Sequence, residues 1–352
     1  MNPTLHDGDP FHNLSEQERS ALSVVEMTKQ APEFDLRTAN PEALKAYFLP
    51  PRPDPEREPD AHRLWRRVME GPFVWPDLRE RSPASLFRGT PLASYFRRGF
   101  QETSSNWSGA IARTIDRSSI RSVYGLWQVP EPSPPAGGVG PVFASSAWVG
   151  LDGHDPASRS MPQLGSGHWF DPTNGAGPKI VFLWWEWFVR ESPTNGYKKI
   201  EVPVQPRDWI YAQITKLTST SASFCIVNLT SPFKSIFPFY YDQAHSPVQP
   251  PVSATNPLTP TVEGRTAEWI MERPRRPSGL HEPLFPMTDY GALTFDGCLA
   301  GTDSSDPSRA ALDLRHAKLQ RLVGWGPPPP GSKALSTPEQ AQGTRFKIRY
   351  GV

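Results

Sequence analysis

The sequence is poor in cysteine and has no long apolar run. Only two of its 352 residues are cysteines, Cys225 and Cys298. Two cysteines exclude a small secreted disulfide scaffold and a cysteine-rich metal cluster. We interpret them as buried thiols, although the sequence leaves open whether they pair. We expect neither a metal nor a cofactor. No apolar run reaches the roughly 18 residues of a membrane helix.

The sequence also lacks an excess of charge of either sign. It has 37 basic and 36 acidic residues, a net charge of +1, so nucleic acid and anionic membranes are not expected partners. Residues 1–20 show no basic region followed by an apolar run, so no signal peptide is predicted. The default expectation is a cytoplasmic protein, or a secreted one if a leader is missing. A monomer is expected.

Proline, glycine and tryptophan are abundant. The 42 prolines and 26 glycines punctuate the chain too often for long helices. The 12 tryptophans concentrate after residue 100, and tryptophan is frequent at partly wet binding surfaces. The composition therefore indicates short strands, many turns and an aromatic-lined cleft.

Residues 1–100 are predicted to be a helical, Pro- and Arg-rich N-terminal extension. Three short helices are expected: one after the capping box Ser15–Glu18, one after Asn40, and one capped by Asp60 over residues 61–70. Arginine dominates over acidic residues from 63 to 98. We interpret that segment either as a prosegment occupying the cleft or as a fixed structural appendage.

Residues 101–352 are predicted to form one all-β domain. Alternation with a period of two predicts strands over residues 144–151, 180–189, 209–217, 219–229, 266–271, 292–295 and 345–350. No helical period of any length intervenes, so an antiparallel sandwich is favoured over a parallel α/β architecture.

Common catalytic motifs are absent. There is no G-x-S-x-G elbow, no H-E-x-x-H, no Asp-Thr-Gly or Asp-Ser-Gly, and no phosphate-binding glycine loop. What remains is a small set of polar residues in apolar surroundings. Glu186 shares a predicted strand face with Trp184 and Phe188, so its carboxylate needs either a partner or access to solvent at an edge.

Two further positions are ambiguous by pattern alone. Glu268, Ile270 and Glu272 share one face of a predicted strand, and two acids on one face are typical of an ordinary wet surface. Gln163 lies beside glycines, where a glutamine is usually a turn or surface residue.

Seven short motifs nevertheless occur in a specific order. They are Asn106–Ala110, Gly125–Pro130, Ala147–Gly153, Gln163–Gly165, Trp184–Trp187, Ala267–Ile270 and Tyr290–Phe295. Each is weak alone, but the ordered series resembles the glutamic peptidases, or eqolisins. The resemblance covers residues 101–352 and suggests a leaderless or bacterial-type member with an N-terminal extension.

The resemblance implies a β-sandwich of two antiparallel sheets, similar to concanavalin or a jelly roll. It also implies an endopeptidase that cleaves protein or peptide substrates at acid pH, using a glutamine and a glutamate to activate water. Carried over by motif, the glutamine is Gln163 and the glutamate is Glu268, with Glu272 as the alternative if the Ala-Glu-Trp-Ile motif is misaligned. Cleft-lining, substrate-binding positions fall on Glu186, Trp148, Trp184 and Trp107.

The sequence departs from the family pattern at several places. Leu164 follows the candidate glutamine in place of threonine, Trp185 replaces a tyrosine, and insertions lie between Gln163 and Glu186 and over residues 246–260. Two alternatives stay open. One is a glycan-binding or glycan-cleaving sandwich with Glu186 and Glu268 as its acids. The other is a non-catalytic, peptide-binding member whose cleft is plugged by residues 1–100.

Overall fold

A computed structural model describes most of the chain after the first thirty-one residues. It covers residues 32–75, 96–98, 101–114, 116, 118–137, 142–155, 157–175, 177–190, 196–200, 202–230, 234–242, 260–275, 284–323, 334–339 and 341–351. The helix predicted after Ser15 and most of the 246–260 insertion lie outside these residues.

The described residues are mostly strand, which confirms the expected all-β class. Two short α-helices precede most of the strands, α1 (Pro41–Ala46) and α2 (Pro59–Val68). The strands are β1 (Phe73–Val74), β2 (Phe96–Arg98), β3 (Gln101–Ser104), β4 (Trp107–Arg113), β5 (Ile120–Gln128), β6 (Phe143–Leu151), β7 (Ser160–Phe170), β8 (Lys179–Val189), β9 (Lys198–Ile200), β10 (Trp209–Lys216), β11 (Ser221–Asn228), β12 (Lys234–Asp242), β13 (Thr266–Glu272), β14 (Ala292–Thr302), β15 (Ala311–Leu312), β16 (Ala317–Leu322), β17 (Ser336–Pro338) and β18 (Phe346–Tyr350). Within the described residues, no helix has the length and apolar character needed to cross a bilayer.

Hydrogen bonds join these strands into one large mixed sheet. We call β9–β8–β7–β6–β13–β4–β16 the site half and β1–β12–β11–β10–β5–β14–β18 the opposite half, each in spatial order. The short strand β17 pairs with both β16 and β18 and links the halves. Most pairs are antiparallel, whereas β1 with β12 and β3 with β16 are parallel.

The main hydrophobic core contains side chains from both halves. The indole nitrogen of Trp127 on β5 donates to the hydroxyl of Ser166 on β7 at 2.9 Å. Trp269 on β13 donates to the carbonyl of Tyr124 on β5 at 2.7 Å. Since side chains alternate along a strand, the residues that neighbour these on the site half face away from the core.

The N-terminal helices begin where proline permits. Asn40 accepts a hydrogen bond from the backbone of Ala43 at 2.8 Å, which confirms the predicted cap of α1. The predicted cap of α2 at Asp60 is wrong. Pro59 starts that helix, its N-cap is Glu58, and Asp60 lies in the first turn. The fixed φ of proline suits the first helical position, which explains the earlier start.

Residues 32–75, which we call the N-terminal layer, pack on the outer face of the opposite half. Their buried apolar residues form one cluster with residues of β5, β10, β11, β12 and β14. The N-terminal layer therefore lies on a different half of the sheet from the residues considered next, whereas β2 pairs with β3 beside β16 of the site half. The remainder of the 63–98 segment, apart from β2, is outside the described residues.

Candidate active site

Four polar side chains of the site half are buried on the face turned away from the core. Gln163, Glu186, Glu268 and Glu272 are 2%, 4%, 0% and 4% exposed, respectively. A wet surface for the two glutamates of β13 is therefore wrong, as is an edge position in which Glu186 reaches solvent. Gln163 lies inside an 11-residue strand rather than in a turn.

Strand alternation places each of these residues as the sequence predicts. On β8, Trp184 and Phe188 join an aromatic cluster on the outer face, with Glu186 between them, while Trp187 faces the core. On β13, Trp269 faces the core and Ile270 faces the outer cluster. The predicted sharing of faces is confirmed on both strands.

Gln163 and Glu186 are direct partners. They occupy paired positions on β7 and β8, and the amide nitrogen of Gln163 donates to Oε2 of Glu186 at 2.9 Å. The other amide atom, Oε1 of Gln163, accepts no hydrogen bond within the described residues. The Glu186 carboxylate thus fixes the orientation of the Gln163 amide, and the amide oxygen stays available to bind a water or a substrate.

Glu272 lies among the tryptophans predicted to line the cleft. Its Oε2 accepts a hydrogen bond from the indole of Trp148 at 2.7 Å, and the rings of Trp148 and Trp107 pack edge to face at 5.0 Å. Burial raises the pKa of Glu272 to about 8, and polar contacts with Trp148, Trp107 and Asn106 oppose the rise. Of these three contacts, only that of Trp148 has the distance and angle of a hydrogen bond. The side-chain nitrogens of Trp107 and Asn106 have no hydrogen-bond partner within the described residues.

Glu268 has different surroundings. Its Oε1 accepts the backbone N–H of His154 at 3.2 Å, so the turn after β6 lies against its carboxyl group. Burial, helped by the charge of Asp152, raises the pKa of Glu268 to about 8. Asp152 itself accepts backbone hydrogen bonds from residues 263, 264 and 265 and so fastens the segment that leads into β13.

The strand register places Glu268 and Gln163 at matching positions on β13 and β7. Glu268 pairs with Gly150 on β6, and Gly150 pairs with Gln163 on β7. Two strand spacings separate the backbones of Glu268 and Gln163, or about 10 Å. A Cβ added at Gly150 would lie 2.8 Å from the ring of Trp148. The Trp148 ring therefore covers Gly150, while its nitrogen bonds to Glu272.

The aromatic part of the face extends beyond these polar residues. The indole of Trp184 donates to Ser146 at 2.9 Å, and Phe182 stacks on Tyr197 with centroids 5.3 Å apart. The structure thus brings Trp107, Trp148 and Trp184 to one face, as the motifs predict.

Sequence reasoning missed two features of this face. It did not find the contacts of Asn106 and the tryptophans with Glu272, although Asn106 opens the first of the seven motifs. It also did not find that the Asp152–His154 turn lies against Glu268, and no local signal in the sequence shows this contact. Among the described residues, no group of three or more His, Cys, Asp or Glu side chains could hold a metal ion. Cys225 and Cys298 are separate, buried thiols.

The chain thus combines a mostly-β fold with a buried glutamine and buried glutamates on one aromatic face. The family model described as Peptidase A4 family matches residues 105–322. The chain belongs to this family and is a glutamic peptidase, which confirms the resemblance and decides against a glycan-cleaving sandwich.

Three solved structures are similar to the chain. Scytalido-glutamic peptidase, solved with a peptide-based transition-state analogue, is 22% identical with a TM-score of 0.50, over 70% of this chain and 98% of that one. SCP-B, an eqolisin solved with a tripeptide, is 22% identical with a TM-score of 0.47, over 70% and 98%. Aspergilloglutamic peptidase from Aspergillus niger is 20% identical with a TM-score of 0.43, over 59% and 99%. No curated protein sequence matches the chain.

Proposed function

We propose that this peptidase is an endopeptidase that hydrolyses peptide bonds of protein or peptide substrates at acid pH. In this proposal the amide of Gln163 and a glutamate of β13 activate the attacking water. One observation carries it: Gln163, Glu186 and both β13 glutamates are buried together on one aromatic face of neighbouring strands. Burying carboxyl groups is costly, so their grouping supports a catalytic use.

Gln163 is proposed to orient the water and to donate to the developing oxyanion. A neutral amide suits this role because it keeps both its donor and its acceptor at any pH. Its orientation is supported by the 2.9 Å hydrogen bond to Glu186. One preorganised donor of this kind contributes about 3 kcal/mol to transition-state stabilisation.

The sequence motif assigns the glutamate to Glu268, and the strand register supports that assignment. Glu268 and Gln163 lie at matching positions two strand spacings apart, whereas Glu272 pairs with Ser146 and lies four residues further along the strand. Each glutamate has one carboxyl oxygen in a hydrogen bond and one that accepts none within the described residues. We therefore propose Glu268 as the base and keep Glu272 as the alternative.

The proposed base must be ionised to accept a proton from water, and must then donate it to the leaving amine. In the buried arrangement the pKa of Glu268 is about 8, so the group is neutral at acid pH. Ionisation therefore accompanies the entry of water and substrate, which reduces the burial that raises the pKa. The hydrogen bond from the backbone N–H of His154 also lowers the pKa of Glu268.

We further infer that the two halves of the sheet face each other as a β-sandwich. The Trp127–Ser166 and Trp269–Tyr124 hydrogen bonds, which join strands that are not ladder neighbours, support this arrangement. The site would then lie on the outer face of one sheet, which a peptide can approach.

Digestion of denatured protein at about pH 3–5, the range in which an ordinary glutamate titrates, tests the proposal. Pepstatin is included to exclude aspartic peptidase contaminants. The full chain is compared with Gln163→Ala, Glu272→Gln and Glu268→Gln, each checked for native circular dichroism. We expect Gln163→Ala and Glu268→Gln to lose proteolysis and Glu272→Gln to keep it. Loss in Glu272→Gln with activity in Glu268→Gln would move the role to Glu272, and activity in Gln163→Ala would contradict the dyad.

A further inference from the structure

The N-terminal layer is an addition to the matched part of the chain, because the family model starts at residue 105. Helix α2 buries Ala61, Leu64, Trp65 and Val68, the spacing of an amphipathic helix with one apolar face. Trp65 is 0% exposed, and the guanidinium of Arg52 lies 5.2 Å from its ring centre.

The surface beneath the layer is apolar and wide. The cluster includes residues of five neighbouring strands of the opposite half: Tyr124, Leu126, Tyr211, Cys225, Val227, Ile236 and Leu299. Without the layer these side chains would form a continuous exposed apolar face. Soluble monomers rarely expose such a face unless a partner covers it.

Polar contacts fix the layer at several separate points. The hydroxyl of Tyr124 donates to the carboxylate of Glu58 at 3.2 Å. The guanidinium of Arg57 donates to the carbonyl of Ser304 at 2.5 Å. At the far end, the ammonium of Lys234 donates to the carbonyl of Glu70 at 2.7 Å.

The layer also adds to the sheet and fits its surface. Phe73 and Val74 form β1, which pairs in parallel with Lys234 and Ser235 of β12. On β14, a Cβ added at Gly297 would lie 2.7 Å from the side chain of Leu64. The surface of the opposite half is thus complementary in shape to the N-terminal layer.

We infer that the N-terminal layer is a permanent part of the folded enzyme rather than a removable prosegment. If the chain is cut between residues 76 and 95, residues 32–75 remain bound to the opposite half, and the cut enzyme keeps them. The contacts of the N-terminal layer described above lie on the opposite half. Access to the candidate active site therefore does not require removal of the layer. The inference does not depend on which glutamate is the base.

A controlled cut in the full-length protein tests this directly. A recognition sequence for a highly specific protease is inserted between residues 76 and 95, and the folded protein is cleaved there. We expect the N-terminal fragment to co-elute with the rest on native size exclusion, to separate in denaturant, and to leave proteolytic activity intact. Release of the fragment from a remainder that keeps its melting temperature and activity would overturn the inference.

A matched pair of substitutions tests whether the apolar face of α2 holds the N-terminal layer on the opposite half. Leu64, 7% exposed, is changed to Asp, and the exposed Leu217, 41% exposed, is changed to Asp as the control. We expect Leu64→Asp to lower the melting temperature of the uncut protein by roughly 5–10 °C and to release the fragment after cleavage. Leu217→Asp should do neither. Equal behaviour of the two variants would show that the layer is not needed.

Discussion

The amide nitrogen of Gln163 donates to Oε2 of Glu186 at 2.9 Å, across paired positions on β7 and β8. An amide can rotate by half a turn and exchange its donor and its acceptor, and this hydrogen bond selects one orientation. Glu186, the residue that appears most unusual in the sequence, thus contacts the proposed catalytic amide rather than replacing it.

Glu186→Leu should therefore lower kcat more than it changes KM. Loss of one orienting hydrogen bond of about 1 kcal/mol corresponds to roughly a fivefold loss of rate, and a misplaced amide adds to it. The measurement is steady-state kinetics on a peptide substrate. The control is Glu42→Leu on the exposed surface of α1. An unchanged kcat in Glu186→Leu would show that Gln163 needs no orienting partner.

Arg113→Gln should move the acidic limb of the pH–activity profile to higher pH. The positive charge of Arg113 lowers the pKa of Glu268. Without that charge the pKa of Glu268 rises, so the proposed base is ionised only at higher pH. Arg207→Gln is the control, because that guanidinium donates to Glu131 instead. An acidic limb at the same pH in the two variants would favour a base other than Glu268.

The strands that the sequence predicts are those with clean alternation. β6, β8, β10, β11, β13, β14 and β18 correspond to predicted segments. Among the strands of six or more residues, β4, β5, β7, β12 and β16 were not predicted. On β7, Pro162, Gly165 and Gly167 interrupt the pattern, because the outer face of this strand uses glycines where others use large side chains. A Cβ at Gly165 would lie 2.5 Å from Cβ of Trp148, a demand that only tertiary packing reveals.

The burial of Glu268 also depended on tertiary structure. Alternation placed it correctly beside Ile270 and Glu272, but whether that face is wet depends on the Asp152–His154 turn folding against it. That contact joins residues 114 positions apart. No local pattern carries such information, whereas the order of seven motifs indicated the family.

Stability should fall as pH rises from about 5 to about 8. Burial raises the pKa values of Glu268 and Glu272 to about 8 in the folded state, above the value of about 4.3 for an unfolded glutamate. The folded state therefore binds more protons in this window, and each group contributes a slope of up to ~1.4 kcal/mol per pH unit. Urea unfolding across the range measures it. Glu268→Gln and Glu272→Gln should each flatten the dependence, and an unchanged slope in both would contradict the assignment.

Stability should also fall on strong acidification, through His168. Burial lowers the pKa of His168 to about 3, and its ring nitrogens contact Ser166 and Ser145 at 2.7 and 3.3 Å. An unfolded histidine binds its proton below about pH 6.5, so the stability contributed by the neutral ring is lost progressively from there toward pH 3. His168→Gln should reduce the loss between pH 6 and pH 3, as measured by urea unfolding, while His62→Gln in the N-terminal layer should not.

Gly165→Ala should be among the most damaging single-methyl additions to the sheet. The added Cβ would lie 2.3 Å from the carbonyl oxygen of Ala147 and 2.5 Å from Cβ of Trp148. Because the nearest atom is backbone, β6 and β7 would have to separate, at a cost of about 2–3 kcal/mol or more. Gly175→Ala is the control, since nothing lies within 4 Å of an added Cβ there. Chemical denaturation of both variants measures the difference in their free energies of unfolding. If Gly165→Ala is as stable as Gly175→Ala, then the close approach of β6 and β7 that places Trp148 beside Gln163 is not required by the fold.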